Sequence, residues 1–493
     1  MTDDINSLPD DPVLLKKLLA KQAARLVFLE EQFRLAQQQR FGASSEGHPA
    51  QGDLFNEAEA ELDVAVDTSE TTVTTVKKKP VRKKLPSDLP REIVVHDITD
   101  KTCACCGHEL HHMGDERSEK LEFIPAQVKV IEHVRLKYSC RACEKQGTST
   151  NIQLAPVPAS PIPKGIATAS LLSQIITSKY QYALPLYRQE SLFKQYSIAL
   201  SRKTMADWVM KSAQLFTPLY ARLQETLLQQ PVIQADETTL KVIEEDKIKS
   251  YMWLYCTGTD SPKNTPIPNI VLYDYQSGRA GQCAVDYLDG FSGYLQVDGY
   301  AGYEKTSATL VGCWAHARRN FIDAQTAQPK GKTGKADMAL SMIQRLYRLE
   351  ASLKDKSPVE KYQRRQEKAK PLLDKFAQWL TKANVPPKTA IGKAITYCKN
   401  QWYKLIRYID DGNLSIDNNR AERAVKPFVI GRKNWLFSKT ANGANASAML
   451  YSIIETAKAN GLTPFDYVAY CLEQLSDQNV DVEALLPWNV KLS

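Results

Sequence analysis

Two aspartates close strand-like runs: Asp236 lies in VIQADETTLKV and Asp298 ends GYLQVDGY. In a sheet whose first and fourth strands are neighbours, these side chains point at one another. Two carboxylates that close repel unless a cation lies between them, which is oxygen-ligand chemistry suited to Mg²⁺ or Mn²⁺. A pair of such ions about 4 Å apart activates an attacking hydroxyl and stabilises the leaving oxygen of a phosphodiester. The arrangement usually needs a third carboxylate from a helix. Glu422 stands in that position within Asp417-Asn-Asn-Arg-Ala-Glu-Arg423, where residues 417–419 supply a helix cap. Taken singly, each is one of 56 acids, and a solvated surface group remains the alternative.

A second chemistry belongs to cysteine. Five of the ten cysteines fall between residues 103 and 143, and Cys103-Ala-Cys105-Cys106 and Cys140-Arg-Ala-Cys143 form two C-x-x-C knuckles. Cys103, Cys106, Cys140 and Cys143 together make a closed tetrahedral thiolate set for structural Zn²⁺. A module this small folds only with its metal, so the ion is expected to be structural rather than catalytic. Cys105 can replace Cys103 or Cys106, and His108, His111 and His112 are competing donors. Cys313-Trp-Ala-His316 has half of a metal-site spacing, but with no second pair to complete it His316 is expected to be packed or hydrogen-bonded.

These groups need elements to hold them. Leu15, Leu19, Gln22, Leu26, Leu29, Phe33 and Ala36 alternate in steps of four and three, a heptad seam for a short coiled-coil dimer or a helix packed on its own chain. An acidic stretch follows, then KKKPVRKK at 77–84, either a solvated tether or a phosphate-contacting arm. The Pro-rich APVPASPIPKG separates the cysteine module from a helical region. There, Pro185–Tyr196 and a helix capped by Ser201 form a candidate helix-turn-helix, with Arg202 and Lys203 in the first turn of the second helix, where base edges are read. Any two helices of a bundle share that pattern.

Beyond Pro231 five strand-like runs follow, then helices through to about residue 475. The expected segments are 1–42 (zipper helix), 43–90 (acidic then basic linker), 91–154 (zinc module), 155–230 (helical DNA-binding segment), 231–325 (first part of the core), 326–411 (basic helical insertion), 412–460 (third-carboxylate helix) and 461–493 (C-terminal tail). The fold class is multidomain α/β.

Charge points to the partner. The chain has 493 residues and a net charge of +8, but residues 41–76 hold eight acids and no Lys or Arg, so the remainder carries +16. Residues 330–410 alone hold 19 Lys and Arg against 7 Asp and Glu. Such a body suits a polyanion. Arg318, Arg319, Arg423, Arg432 and Lys433, close to the proposed strands and third-acid helix, read as phosphate contacts or plain surface charge. Trp435 either stacks on an unpaired base or belongs to a core. No apolar window approaches a bilayer span, the acidic amino terminus lacks a secretory pattern, and no G-x-x-x-x-G-K-[ST] loop occurs. A cytoplasmic protein without a nucleotide cofactor is expected.

The order of a zipper helix ending RFGASSE, the cysteine module, ADET, VDGYAGY, CWAHARRNF, DNNRAERAVKPFVIGRKNW and the closing LLPWNVKLS resembles the transposases of the insertion-sequence-66 family. The resemblance covers nearly the whole chain. It implies a DDE transposase with a ribonuclease-H-like core interrupted by a helical insertion, with Asp236, Asp298 and Glu422 as its first, second and third acids. It also implies that the zinc module and adjacent helices help recognise element ends, and that small accessory proteins of the same element are partners. Double-stranded DNA, as terminal inverted repeats and as target, is the expected substrate, bound by a homodimer or larger assembly. The extra Cys105 departs from the family pattern. A DNA-binding protein with a dead core and a plain nuclease of the same fold are the rival readings.

Overall fold

The computed structural model describes residues 11–41, 93, 95, 128–138, 153–246, 249–258, 267–328, 333–477 and 479–491. Cys103, Cys106, Cys140 and Cys143 lie outside the described residues, as do the acidic and basic runs of the expected linker. The chain divides into two compact units, residues 69–155 and the rest, 1–68 with 156–493.

The larger unit begins with α1 (Pro12–Phe41). Its heptad seam faces solvent: Leu19, Leu26, Leu29 and Phe33 are 52–64% exposed. The opposite side grips the chain itself. Glu31 Oε1 accepts the Ala390 amide at 2.6 Å, and Arg34 Nε donates to the Ala327 carbonyl at 3.0 Å. Each charge meets the helix end that suits its sign. In the smaller unit, β1 (Lys137–Tyr138) pairs antiparallel with β2 (Gln153–Leu154).

Four helices precede the sheet: α2 (Ala169–Tyr180), α3 (Leu186–Gln195), α4 (Arg202–Leu215) and α5 (Thr217–Leu228). Thr168 and Ser201 cap α2 and α4 by accepting the Leu171 and Thr204 amides. All five expected strands form, as β3 (Val232–Leu240), β4 (Ser250–Cys256), β5 (Val271–Gln276), then α6 (Gly281–Tyr287), β6 (Tyr294–Gln296) and β7 (Thr309–Val311). The helix α6 interrupts what reads as an unbroken run of strands. The sheet order is β5-β4-β3-β6-β7, with β4 antiparallel to its neighbours and β3, β6 and β7 parallel.

The next helices are α7 (Trp314–Thr326), α8 (Lys335–Ser352) and α9 (Pro358–Arg364), which runs through a π-helical turn (Arg365–Ala369) into α10 (Lys370–Lys382). Then come α11 (Ala390–Leu405), α12 (Asn419–Trp435), α13 (Ala441–Ala459) and α14 (Pro464–Gln474). Among the described residues no helix is long and apolar enough to cross a membrane.

Two apolar clusters organise these elements. The first unites the sheet with α2–α5 and α12–α14; the second gathers Val311, Trp314, Phe321, Phe376 and Cys398 around the inserted helices α8–α11. Edge strand β5 is closed by α13, whose Ser452 and Thr456 hydroxyls accept the Tyr273 and Val271 amides at 2.7 and 3.0 Å. An open sheet edge thereby becomes a covered one. Described residues of 461–493, expected as a tail, contribute to the first cluster. Tyr467, Val468, Cys471 and Leu472 are fully buried, and the Tyr467 hydroxyl bonds the Leu485 carbonyl at 2.7 Å. The physical reason is the apolar side of α14, which needs a partner and finds it in α2.

Candidate active site

The register of β3 with β6 pairs Gln234 with Gln296. Two residues further on lie Asp236, still within β3, and Asp298, two residues past the end of β6. Asp236 Oδ1 accepts the Glu237 amide and Asp298 Oδ1 the Tyr300 amide, both at 2.8 Å. Gly299 is required here by a close approach, since a Cβ there would stand 2.9 Å from the Tyr397 ring of α11.

Helix α12 brings the third acid. Asp417 Oδ1 accepts the Asn419 amide at 3.2 Å, so the cap comes from Asp417 while the cap-position residue Asn418 turns elsewhere. Asn418 donates its side-chain amide to the Ala235 carbonyl at 2.8 Å, and its backbone N–H to the Cys313 sulfur at 3.2 Å. These bonds tie the start of α12 to the residue before Asp236 and to the start of α7. Glu422, 2% exposed, then lies one turn inside α12. Neither of its carboxylate oxygens has a hydrogen-bond partner. His316 Nδ1 stands 3.3 Å from Oε1, without hydrogen-bond alignment, and Arg319 Nη2 3.6 Å from Oε2.

The acids act on one another electrostatically. Burial holds the Asp236 carboxyl well above the usual range, and the charges of Glu237, Asp298 and Glu422 push the same way. Burial also pushes Glu422 up to about 7; Arg319 opposes the shift, and Asp417 and Asp298 add to it. Burial and the Arg319 charge lower His316, while Asp298 raises it. A buried Glu422 without hydrogen bonds, in the field of half-buried Asp236 and Asp298, favours a cation, because unpaired buried polar groups cost free energy.

One donor set is unexpected. Ligand atoms of Cys313, His316 and Glu422 lie within 4.8 Å of one another. The half-site that had no partner in the sequence therefore meets the third acid in space. Cys313 is fully buried, its thiol pushed well above the ordinary range by burial and by Asp417 and Glu422. A protonated thiol is a poor ligand for a hard ion, so oxygen and imidazole remain the fitting donors.

The family model described as "Transposase IS66 family" matches residues 164–446, more than half of the chain. The chain belongs to this family. Further models match in order: "Transposase C of IS166 homeodomain" at 28–94, "zinc-finger binding domain of transposase IS66" at 100–144 and "IS66 C-terminal element" at 452–488. The uncharacterized proteins y4jD and y4hP of Sinorhizobium fredii are similar to it. The first is 33% identical over 83% of this chain and 81% of its own length, the second 31% identical over 97% and 87%. No solved structure matches.

In this IS66-family chain the other expected residues fall in different settings. Arg202 and Lys203 are exposed in the first turn of α4, and Lys433 is exposed near the end of α12. Arg319 and Arg423 are half-buried beside Glu422. Arg432 donates to the Thr238 and Thr239 hydroxyls at 3.2 Å. Arg318, expected at a phosphate, is 7% exposed: its place on α7 turns it inward, so the structure withholds it from solvent. Trp435 packs edge-on to Tyr180 at 6.4 Å, in the core.

Sequence reading missed Glu237, Arg279 and Tyr303. The Glu237 side chain is 2% exposed; Tyr303 donates to it at 2.6 Å, Arg279 Nε at 2.9 Å, and the guanidinium stacks 3.9 Å above the Tyr300 ring. The strand period puts Glu237 opposite Asp236 in ADET, a signal that it points into the sheet's other layer.

Proposed function

We propose that the chain is a DDE-type DNA transposase with a ribonuclease-H-like core, cutting the ends of an insertion sequence and joining the freed 3′-hydroxyls to target DNA. The observation that carries this reading is that Asp236 on β3 and Asp298 just past the end of its parallel neighbour β6 act electrostatically on one another and on a Glu422 whose oxygens are buried without hydrogen-bond partners. The sheet order supports it, with one acid on the first strand, another just past the end of the fourth, and the second strand antiparallel.

The donor set fits hard divalent cations, Mg²⁺ or Mn²⁺, held by Asp236, Asp298 and Glu422, the last with both oxygens free of hydrogen bonds. Such ions, when bound, lower the pKa of an attacking hydroxyl and stabilise the charge on a leaving oxygen. The chain's own residues do the placing. Hydrogen bonds from the Glu237 and Tyr300 amides hold one oxygen each of Asp236 and Asp298. His316 and Arg319 flank the Glu422 carboxylate, and the Arg319 charge favours its ionised form. Arg279, fixed by Glu237 and Tyr300, Arg423 and Lys433 are placed to meet phosphates, which position DNA without reading its sequence.

The expected zinc module, with Cys103, Cys106, Cys140 and Cys143 on a structural Zn²⁺, and the α3–α4 pair with Arg202 and Lys203 are assigned to end recognition. The exposed α1 seam is assigned to a homodimer, accessory proteins of the element to partnership, and the cytoplasm to location.

The test is cleavage of DNA ends in Mg²⁺ by the wild-type chain and by Asp298→Asn. Loss of cutting in the variant is expected, and a near wild-type rate in the variant would remove the assignment. Labelled ends separate joining from plain hydrolysis, since a nuclease yields no strand-transfer product.

A further inference from the structure

The helix that carries Glu422 ends in an unusual way. Leu436 has φ +67° and ψ −39°, and the Phe437 amide donates back to the Trp435 carbonyl at 2.8 Å. This is a γ-turn with positive φ at its centre, a rare and strained conformation for a branched apolar residue. Both side chains it presents face solvent among the described residues: Leu436 is 67% and Phe437 44% exposed. The turn is nevertheless held at both ends. Before it, Trp435 packs on Tyr180 and Tyr451, across a Gly431 where a Cβ would lie 2.1 Å from the indole. After it, Ser438 donates to the Lys241 carbonyl at 2.9 Å and accepts the Ile243 amide at 3.0 Å. A strained turn that the surroundings over-determine and that displays two large apolar side chains to water marks a contact surface.

The approach to this tip is basic. Arg423, Lys426, Ile430 and Lys433 follow one another along α12 in steps of three, four and three, a single face of the helix. Lys433 is exposed, as are Lys241 and Lys439 beside the turn. In the adjoining turn Glu244 is paired with Lys439 at 3.7 Å and Glu245 accepts the Ser250 hydroxyl at 2.9 Å, while Asp246 is exposed. From Glu422 to Leu436 the helix rises about 21 Å, the length of about six base pairs.

We propose that the Leu436–Phe437 tip is a wedge that inserts between base steps of the bound duplex about six base pairs from the scissile phosphate, with the basic face of α12 following the backbone. This rests on the reading of the chain as a DNA-cutting enzyme. The partner is double-stranded DNA because the strip leading to the tip is cationic and the tip itself is apolar, the two contacts a kinked duplex offers. A second copy of the chain is the competing occupant.

The experiment uses the full chain with 40-bp duplexes tiled across the DNA flanking its own coding sequence, each carrying 2-aminopurine at one position. Anisotropy reports binding and 2-aminopurine fluorescence reports unstacking. For the wild type, fluorescence should rise at one or two adjacent positions near the sixth base pair from the cut. Leu436→Gly should abolish that rise while affinity falls no more than about tenfold, because the phosphate contacts remain. Its melting temperature should hold or increase, since glycine adopts positive φ without strain; Phe437→Ala should weaken the rise without that gain. Lys433→Ala should weaken binding and flatten its salt dependence but keep the rise. Tight wild-type binding with no bright position, or an undiminished rise in Leu436→Gly, would overturn the wedge and leave the DNA-cutting reading standing. Absence of wild-type DNA binding would overturn both. A fall from dimer to monomer in Leu436→Gly by light scattering would overturn the wedge in favour of self-association.

Discussion

Two buried charged groups of this molecule are built on opposite terms. In the inserted helices, Arg365 is 2% exposed at the start of the π-helical turn and has a partner for each nitrogen. Its Nε and Nη2 meet Glu350 at 3.0 and 2.7 Å, Nη1 meets the carbonyls of Tyr408 and Asp411, and Nη2 also meets that of Leu414. Beneath α12, Asp236, Asp298 and Glu422 crowd like charges together and leave the Glu422 oxygens bare. The first group is complete as it stands and pins the loop at 408–414 to α8. The second holds three acids against Arg319, 3.6 Å from Glu422, and gains from a further cation. Buried charge that is satisfied reads as structure, and buried charge that repels reads as a site.

The largest break in that comparison comes from neutralising the acids. Asp236→Asn, Asp298→Asn or Glu422→Gln should each lower Mg²⁺-dependent cleavage by at least about a thousandfold, roughly 4 kcal/mol of barrier. Chemical denaturation without metal should find each variant as stable as the wild type or more so, because repulsion has been relieved. Removing the partner in the complete group should do the reverse. Arg365→Met should cost about 3–5 kcal/mol in urea unfolding by leaving Glu350 buried and unpaired, and adding Glu350→Leu should recover most of it.

A smaller effect follows pH. Glu422 is raised in the fold to about 7 from an ordinary 4.5, so the folded state binds its proton more tightly than the unfolded chain. The stability this contributes is whole below about pH 4.5 and is lost as pH climbs through 7, a span of up to about 3 kcal/mol. Metal-free unfolding at pH 5 and pH 8 should show that loss in the wild type and a flatter profile in Glu422→Gln. Smallest is the covered sheet edge. Thr456→Val, which removes the hydroxyl that bonds the Val271 amide and carbonyl, should cost about 1–2 kcal/mol with activity intact per folded molecule.

Much of the architecture was legible because its signals are local. Five strand-like runs, the Ser201 cap and Glu422 beyond a capping sequence can each be read within a dozen residues. The strand run that carries Asp236 and the one that ends two residues before Asp298 were legible too, and they pair as parallel neighbours. The encounter of Cys313 and His316 with Glu422 was not, because more than a hundred residues of inserted helix separate them and only the packing of α7 against the start of α12 joins them. The support given to Glu237 by Arg279 and Tyr303 was hidden for the same reason. Arg318 misled because charge in a sequence says nothing of the side of the helix it occupies. The short α6 was lost among strands, being one helical stretch of seven residues with no side-chain cap.

The central claim is that the acid cluster is a divalent-cation site. Isothermal titration of Mn²⁺ into the full chain at pH 8, with the thiolate sites already loaded with zinc, tests it without any DNA. Saturable binding by the wild type and its loss in Asp236→Asn and Asp298→Asn are the expected result. Equal binding by wild type and both variants, or none by the wild type, would contradict it.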